Sequence, residues 1–215
     1  MFIIFNTVNT TLRVFEEIRK VKPAKLYIFS DGPRKHVSDD RGKCLATQKI
    51  AARVDWDCEL KTLFLEENYG SREGVVKGID WFFENVEEGI ILEHDCLPSR
   101  SFFYFCQTML EYYRYDTRIM HVCGGNYQHG IQRGNASYYF SKYPQIWGWA
   151  TWRRAWKYYD VDMKKYSEFN KYFNIDSLFR LKGEQKFWKK MFEHTITKKI
   201  STVCDFQWVF TVLTN

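Results

Sequence analysis

The sequence predicts an α/β protein built on a mostly parallel, doubly wound sheet, and three observations lead to this. Strand-like and helix-like segments alternate through the first ninety or so residues, giving four β–α units, and this alternation favours a parallel sheet. Residues 89–93, Gly-Ile-Ile-Leu-Glu, form an apolar run typical of a strand buried on both faces. The predicted strands end in polar residues, and ligands of such sheets collect at the carboxyl ends of the strands.

Each element has its own local signal. The predicted strands are short and apolar, and they cover residues 2–5, 25–29, 59–65, 89–93 and 119–122. The first helix begins after Asn9 or Thr10, either of which can act as the N-cap, and continues through Lys20. Further helices are predicted over residues 40–54, 74–85 and 101–115.

The second half of the chain has a different character. Residues 126–137 are polar and contain glycines, which predicts a loop. After Tyr138 the sequence is aromatic and irregular, and a helical region is expected from about residue 183 to 199. The chain contains no internal repeat, low-complexity tract or Pro/Ser-rich linker, so a single domain is expected.

Composition excludes several classes of protein. Apolar residues make up 45% of the chain and charged residues 27%, which argues against disorder. No segment approaches the ~18 uncharged apolar residues of a membrane-spanning helix. The opening Met-Phe-Ile-Ile-Phe lacks a basic region and a cleavage pattern, so a strand rather than a signal peptide is expected. Aromatic residues reach 19%, which fits either ring-lined clefts or an aromatic core.

Charge and cysteine usage constrain the partners and the compartment. The net charge of +6 is enough to attract phosphates, nucleotides or an anionic membrane surface. The basic residues form no dedicated run, so nucleic acid is not expected as a partner. The six cysteines form no C-x-x-C pair and no zinc-finger spacing with histidine. Free thiols and a cytoplasmic location are therefore predicted, although an even count leaves disulfides open.

The sharpest candidate site is Glu93-His94-Asp95, directly after the buried apolar run. In an extended chain the two carboxylates share one face and can approach one cation. Carboxylate oxygens suit hard divalent metals, and such an ion neutralises the charge of a diphosphate leaving group. The same pattern also fits an ordinary solvated loop.

Two further strand ends carry candidate ligand-binding residues. Asn6 ends the first strand, and Asp31-Gly32 follows the second. The Asp31 carboxylate either accepts a hydrogen bond from a nucleobase or ribose, or only makes a turn with Gly32. Residues 67–74 offer backbone amides for a phosphate, but they match neither a dinucleotide fingerprint nor a P-loop.

Two aromatic segments complete the candidate site. Residues 147–152 hold three tryptophans around Gly148, and indole rings bind sugar faces well; packing of a second layer on the sheet is the alternative. Near the end of the chain, Asp205 lies among aromatic residues and acts either as a general base with a raised pKa or as a helix N-cap.

Four motifs follow one another along the chain: the Asp31-Gly32 strand end, Asn68-Tyr69-Gly70, the acidic motif after Ile-Ile-Leu, and Trp147-Gly148-Trp149. Together and in this order, they resemble a GT-A-type nucleotide-diphospho-sugar glycosyltransferase of the group related to N-acetylglucosaminyltransferase I. The resemblance extends from Phe2 to about Trp208, and it is specific as an ordered combination rather than in any single motif. It implies a Rossmann-like GT-A fold in one domain of residues 1–215. Residues 1–125 would form the nucleotide-binding half, and residues 126–215 the acceptor and sugar side.

The resemblance also implies roles for the residues on the nucleotide side. Asp31, with Asn6 and Gly32, would bind the nucleoside of a nucleotide-diphospho-sugar donor. Glu93 would lie near the ribose and the metal, and Asp95 would bind Mn²⁺ or Mg²⁺ directly.

On the acceptor side, Trp147, Gly148 and Trp149 would shape the sugar pocket. Asp205 would take the proton from the hydroxyl of a carbohydrate or other acceptor in an inverting transfer.

Two departures from the family pattern bear on activity. His94 stands where the family typically has a second acid, which removes one negative charge from the motif. The family usually continues into a segment that closes over the donor, whereas this chain stops at Asn215, as either a short natural version or part of a longer protein.

Two alternatives remain. A nucleotidyltransferase would need a glycine-rich, basic loop where residues 6–11 stand, and a catalytically silent nucleotide- or carbohydrate-binding module would need no catalytic base.

Overall fold

Four β–α units form the first half of the protein, as the alternation predicts. The computed structural model describes residues 1–132, 134–197 and 203–215. The strands are β1 (Phe2–Ile4), β2 (Lys25–Ser30), β3 (Glu59–Phe64) and β4 (Glu88–Glu93). The helices between and after them are α1 (Val8–Val21), α2 (Asp40–Ala51), α3 (Gly70–Asn85) and α4 (Arg100–Tyr112). Each predicted element of this half is present, with its ends shifted by a few residues.

The second half adds two short strands and several helices. They are β5 (Val122–Cys123), β6 (Trp149–Trp152), α5 (Arg153–Trp156), α6 (Tyr166–Tyr172), α7 (Lys182–Ile196) and α8 (Asp205–Thr214), with a 3₁₀ turn over Ile175–Leu178. The helical region expected to residue 199 corresponds to α7, and its predicted end lies outside the described residues. The strand predicted at residues 119–122 was placed too early, since β5 begins at its last residue.

The six strands form one mixed sheet in the order β3-β2-β1-β4-β6-β5. Strands β1 to β4 pair in parallel. β6 runs antiparallel to both β4 and β5. The α/β class is therefore confirmed, and the sheet is parallel over its four N-terminal strands only.

Side chains alternate across the sheet and fill a core on each face. In β2, Leu26 and Ile28 lie on one face and Tyr27 and Phe29 on the other, as the two-residue period of a strand requires. Helices α1, α2 and α4 cover the first face. Helices α3 and α8 cover the second. The sheet therefore lies between two layers of helices, and the ends of its strands stay at the rim.

A third apolar cluster lies outside the sheet and joins the C-terminal helices. It is rich in aromatic rings and consists of Met163, Tyr166, Ile175, Phe179, Phe192, Val209 and Phe210. Its last two members belong to α8, which also contributes Trp208 to the sheet core. The aromatic C-terminal region is thus a second packing layer anchored through α8.

All six cysteines are free thiols. None of the helices in the described part of the chain combines the length and apolar character needed to cross a membrane.

Candidate active site

The carboxyl ends of β1, β2 and β4 meet at one edge of the sheet because these strands are parallel neighbours. Asn6, Asp31 and Glu93 therefore come to the same edge, as their positions after the strands predict. The structure divides them into two groups, since Asn6 and Asp31 are held in hydrogen-bond networks while Glu93 faces a second acid.

Asp31 is tied to the start of α3. Its carboxylate accepts hydrogen bonds from the backbone amides of Gly32 at 2.9 Å, Tyr69 at 3.0 Å and Gly70 at 2.8 Å, and from Asn68 Nδ2 at 3.0 Å. The first amides of a helix have no partner within the helix, so Asp31 satisfies them from a neighbouring strand. These bonds use the acceptor capacity of a carboxylate, and Asp31 is only 8% exposed.

Two glycines allow this close approach. A Cβ on Gly32 would lie 2.5 Å from the Glu67 backbone, and one on Gly74 would lie 3.0 Å from the Asp31 carboxylate. Burial raises the pKa of the Asp31 carboxyl, while the amide hydrogen bonds oppose that shift. Gly32 therefore has a packing role here, and its role in nucleotide binding, like that of Asp31, stays a prediction.

Asn6 belongs to a neighbouring network centred on Asp40, a residue that the sequence analysis missed. The Asp40 carboxylate accepts from Arg34 Nε at 2.6 Å, Arg34 Nη2 at 2.8 Å and Asn6 Nδ2 at 2.6 Å. Asp40 is 1% exposed, and the Arg34 guanidinium holds its pKa well below the usual range. The sequence contains no local signal for this pair, because the contact depends on how the loop after β2 folds back.

The acidic motif at the end of β4 is a turn rather than an extended strand. The Cys96 amide donates to the Glu93 carbonyl at 3.1 Å, so the expectation that Glu93 and Asp95 share a strand face was wrong. Asp95 is exposed and Glu93 is half-buried. Burial, and then the charges of Asp95 and Asp205, raise the pKa of Glu93 to about 7.

His94 occupies the middle of this turn. Its Nδ1 is buried and has no hydrogen-bond partner among the residues that the structure describes. Burial lowers the pKa of the imidazole, against the opposing charge of Asp95. His94 therefore favours its neutral form and does not restore the negative charge of a second acid.

Asp205 lies near Glu93 in the fold, although more than a hundred residues separate the two in the sequence. It is the first residue of α8, and the N-cap position belongs to Cys204, so Asp205 is not the N-cap itself. Burial raises the pKa of the Asp205 carboxyl, and its charge acts on Glu93. The fold thus juxtaposes two carboxyl groups, neither of which makes an ion pair among the described residues.

Glu93 lies beside a wall of aromatic rings. His121 stacks on Trp149 with ring centroids 5.1 Å apart, and Trp149 lies 5.6 Å from Trp208. The Trp208 indole N–H donates to His121 Nδ1 at 3.1 Å. His121 Nε2 therefore carries the proton and donates to the Gln145 carbonyl at 3.0 Å, and burial lowers the pKa of His121 to about 4.

Glu93 and the rings of this wall line a small cavity. Its volume is about 10 Å³, and its lining includes Glu93, Cys204, Trp149 and Trp208. This is close to the least volume that holds one water molecule. The space is mostly apolar, so it keeps Glu93 poorly solvated.

The tryptophans of the Trp-Gly-Trp segment lie in different environments. Trp147 is 66% exposed, whereas Trp149 is 3% exposed and belongs to the sheet core. Gly148 between them has φ of +67°, a left-handed conformation that glycine adopts freely. Trp152 packs against the opposite face of the sheet. Among these three rings only that of Trp147 is exposed to solvent, and the sugar-binding roles of Trp147, Gly148 and Trp149 remain predictions.

Comparison with known proteins adds no relative: no protein-family model matches the chain, and no curated protein matches it. Within the described residues, no group of three or more His, Cys, Asp or Glu side chains is arranged to hold a metal ion. The chemistry of the strand edge is therefore the basis of the function proposed below.

Proposed function

We propose that the protein is a metal-dependent glycosyltransferase that moves a sugar from a nucleotide-diphospho-sugar to an acceptor hydroxyl. The observation that carries the proposal is the juxtaposition of Glu93 and Asp205 near the carboxyl ends of the parallel strands, both with a raised pKa. Perturbed acids in a recess cluster at catalytic sites more often than elsewhere. The parallel strands β1 to β4 and the antiparallel β6 form a mixed α/β sheet, and the GT-A fold is proposed within that class on the sequence resemblance.

The donor nucleotide would lie along the ends of β1, β2 and β4. Such edges are where α/β sheets bind their ligands. Asn6 and the Asp31-Gly32 loop flank this edge, and their networks hold the backbone around it rigid. A rigid edge binds a nucleoside without a large ordering cost.

The two carboxylates of the turn suit a divalent cation. Mg²⁺-type ions are commonly held by one or two protein carboxylates, with substrate phosphates and water completing the shell, so Glu93 and Asp95 are sufficient without a third side chain. Asp95 is exposed and makes no ion pair within the described part of the chain, so its carboxylate is available. A bound Mn²⁺ or Mg²⁺ would neutralise charge on the leaving diphosphate.

Asp205 would act as the general base. The acceptor hydroxyl oxygen forms the new bond to the anomeric carbon as the bond from that carbon to the diphosphate oxygen breaks, and the hydroxyl proton passes to Asp205. A single displacement of this kind inverts the configuration. The raised pKa of Asp205 makes it a better proton acceptor than an ordinary aspartate. Trp147 would contribute the exposed ring of the sugar pocket, next to Gly148.

The test is release of nucleoside diphosphate from candidate donors, with and without Mn²⁺, by the wild type and by Asp95→Ala. We expect metal-dependent release that falls by at least ~100-fold in the variant, because the metal supplies much of the charge stabilisation. Asp57→Ala is the matched control, since Asp57 is also exposed but lies before β3, at the other end of the strands. Donor binding that is equally tight with and without the metal, and in the wild type and Asp95→Ala, would overturn the proposal.

A silent nucleotide- or carbohydrate-binding module is the second candidate. The observation that favours it is His94, which leaves the motif with one acid fewer than the family pattern. A module would bind a nucleoside diphosphate and raise its own melting temperature, yet release no product with any donor. A nucleotidyltransferase has less support, because α1 begins almost directly after β1, where that enzyme would need a glycine-rich basic loop.

A further inference from the structure

The positive charge of the protein is concentrated in one segment. Residues 157–199 contain eleven Lys or Arg and six Asp or Glu, so this segment carries +5 of the chain's net +6. The other residues are therefore almost neutral. Segregated charge of this kind creates a local field that neither the fold nor the candidate active site requires.

Helix α7 presents much of this charge on one face. Lys182, Lys186 and Lys190 are spaced by four residues, which places them along one stripe of the helix, and all three are exposed. The opposite face of α7 packs against the protein core. Phe192 on that face is fully buried, and its ring centroid lies 5.5 Å from that of Phe210 in α8. The basic stripe must therefore face solvent.

Half of the six basic residues of α1 and α2 form ion pairs, while Arg13, Arg41 and Lys49 form none among the described residues. In α1, Arg19 pairs with Asp55 and Lys20 with Glu17, and in α2 Lys43 pairs with Asp39. Within the described residues no acid forms a salt bridge with the stripe lysines or with Lys189. One acid, Glu193, lies on the same side of α7, so the lysine side chains outnumber the acids on that side.

An exposed ring borders the stripe. Phe187 is 51% exposed and lies one helical turn before Lys190. Leu181, at the start of the helix, is 61% exposed. Nucleic-acid phosphates would satisfy the lysines but leave these side chains in water, whereas a membrane interface accommodates both.

We infer that the exposed face of α7 (Lys182, Lys186, Phe187 and Lys190) docks on the surface of a membrane that contains anionic lipids. The lysines approach the lipid headgroups, and Phe187 inserts among them. The protein binds reversibly at the surface, which needs no membrane-spanning segment. This inference is independent of the proposed catalytic activity.

The test is co-sedimentation of the full chain with vesicles of phosphatidylcholine alone and of phosphatidylcholine with phosphatidylglycerol in equal parts. We expect binding to the second only, weakened by salt because the interaction is screened. Each lysine near such a surface contributes roughly fivefold to the partition coefficient. The triple variant Lys182→Gln, Lys186→Gln, Lys190→Gln should therefore bind about 100-fold more weakly.

The matched control replaces three exposed basic residues elsewhere, Arg13, Lys49 and Arg53, with glutamine. It has the same net charge as the stripe variant and should retain most vesicle binding. Phe187→Ala should lose about fivefold, as expected for partial burial of one ring. Circular dichroism checks that each variant is folded.

Three outcomes would overturn the inference. The first is no binding to anionic vesicles, and the second is an equal loss in the stripe and control variants, which would reflect net charge alone. The third is tight binding of duplex RNA through the same lysines without binding to vesicles, which would assign the face to nucleic acid instead.

Discussion

Two pairs of acids at one end of the sheet have opposite hydrogen-bond environments. Asp31 and Asp40 are surrounded by donors, namely the α3 amides for the first and Arg34 for the second. Glu93 instead borders a small apolar cavity and is affected by the charge of Asp205, and neither acid has an ion-pair partner among the described residues. Saturated carboxylates stabilise the fold, whereas poorly paired ones cost stability and are available for chemistry. The contrast separates structural from functional acids within a single sheet edge.

The largest expected effect is at Asp205. Asp205→Asn removes the proton acceptor and should lower kcat by ~10²–10⁴-fold, the usual contribution of a general base. Its stability should be unchanged or slightly higher, because a repulsive charge beside Glu93 is lost. Kinetics and thermal unfolding of the same preparation measure both quantities.

If Asp205→Asn is both inactive and strongly destabilised, Asp205 stabilises the fold as Asp31 and Asp40 do. The difference between the two pairs of acids would then not hold. Asp57→Asn, at an exposed position outside the site, serves as the control for the substitution itself.

Asp31→Asn should show the reverse pattern. The new amide would place an N–H₂ group against the amides of Tyr69 and Gly70, which donate to the native carboxylate. A loss of about 3 kcal/mol in the free energy of unfolding is expected. For a chain of this size that corresponds to a fall in Tm of roughly 6–12 °C. An unchanged Tm would show that the network does not stabilise the fold.

His121, which accepts a hydrogen bond from Trp208, makes the free energy of unfolding depend on pH. The pKa of His121 is about 4 in the folded state and about 6.5 in an unfolded chain. The unfolded state therefore binds more protons between these values, so this contribution is present above about pH 6.5 and is lost as pH falls towards 4.

The wild type should lose roughly 3 kcal/mol relative to His121→Gln over that range. Glu93 has the opposite sign, since its raised pKa stabilises the folded state at low pH, so the difference between the two unfolding curves is the quantity to measure. Parallel curves would mean that His121 is not held neutral.

The smallest effect is expected at Asp40. Its pKa is lowered in the folded state, so the stability from its pairing with Arg34 is present above about pH 4 and is lost as pH falls further. Asp40→Asn should be less stable than the wild type at neutral pH by about 1–2 kcal/mol. The gap should narrow in acid, and denaturant unfolding at a series of pH values measures it.

Much of the fold follows from patterns that neighbouring residues carry. The β–α alternation, the buried β4 run and the polar strand ends all depend on local periodicity, and the structure has them where expected. The expectation at Glu93-His94-Asp95 was wrong because it assumed that the strand continues through these residues. They form a turn instead, closed by a hydrogen bond from the Cys96 amide to the Glu93 carbonyl. The short strand β6 was missed because its four residues carry no pattern distinct from a packing segment.

The sequence by itself determined the α/β class, the edge at which polar residues collect and the identity of the acids. Only the tertiary structure decided which acid meets which partner: Asp31 meets the start of α3, Arg34 meets Asp40, and Asp205 meets Glu93 across more than a hundred residues. The reason is physical, because periodicity is encoded in adjacent side chains, whereas the charge environment of a carboxyl group depends on the atoms that packing brings around it. The role of each acid is therefore set by its surroundings rather than by its place in a motif.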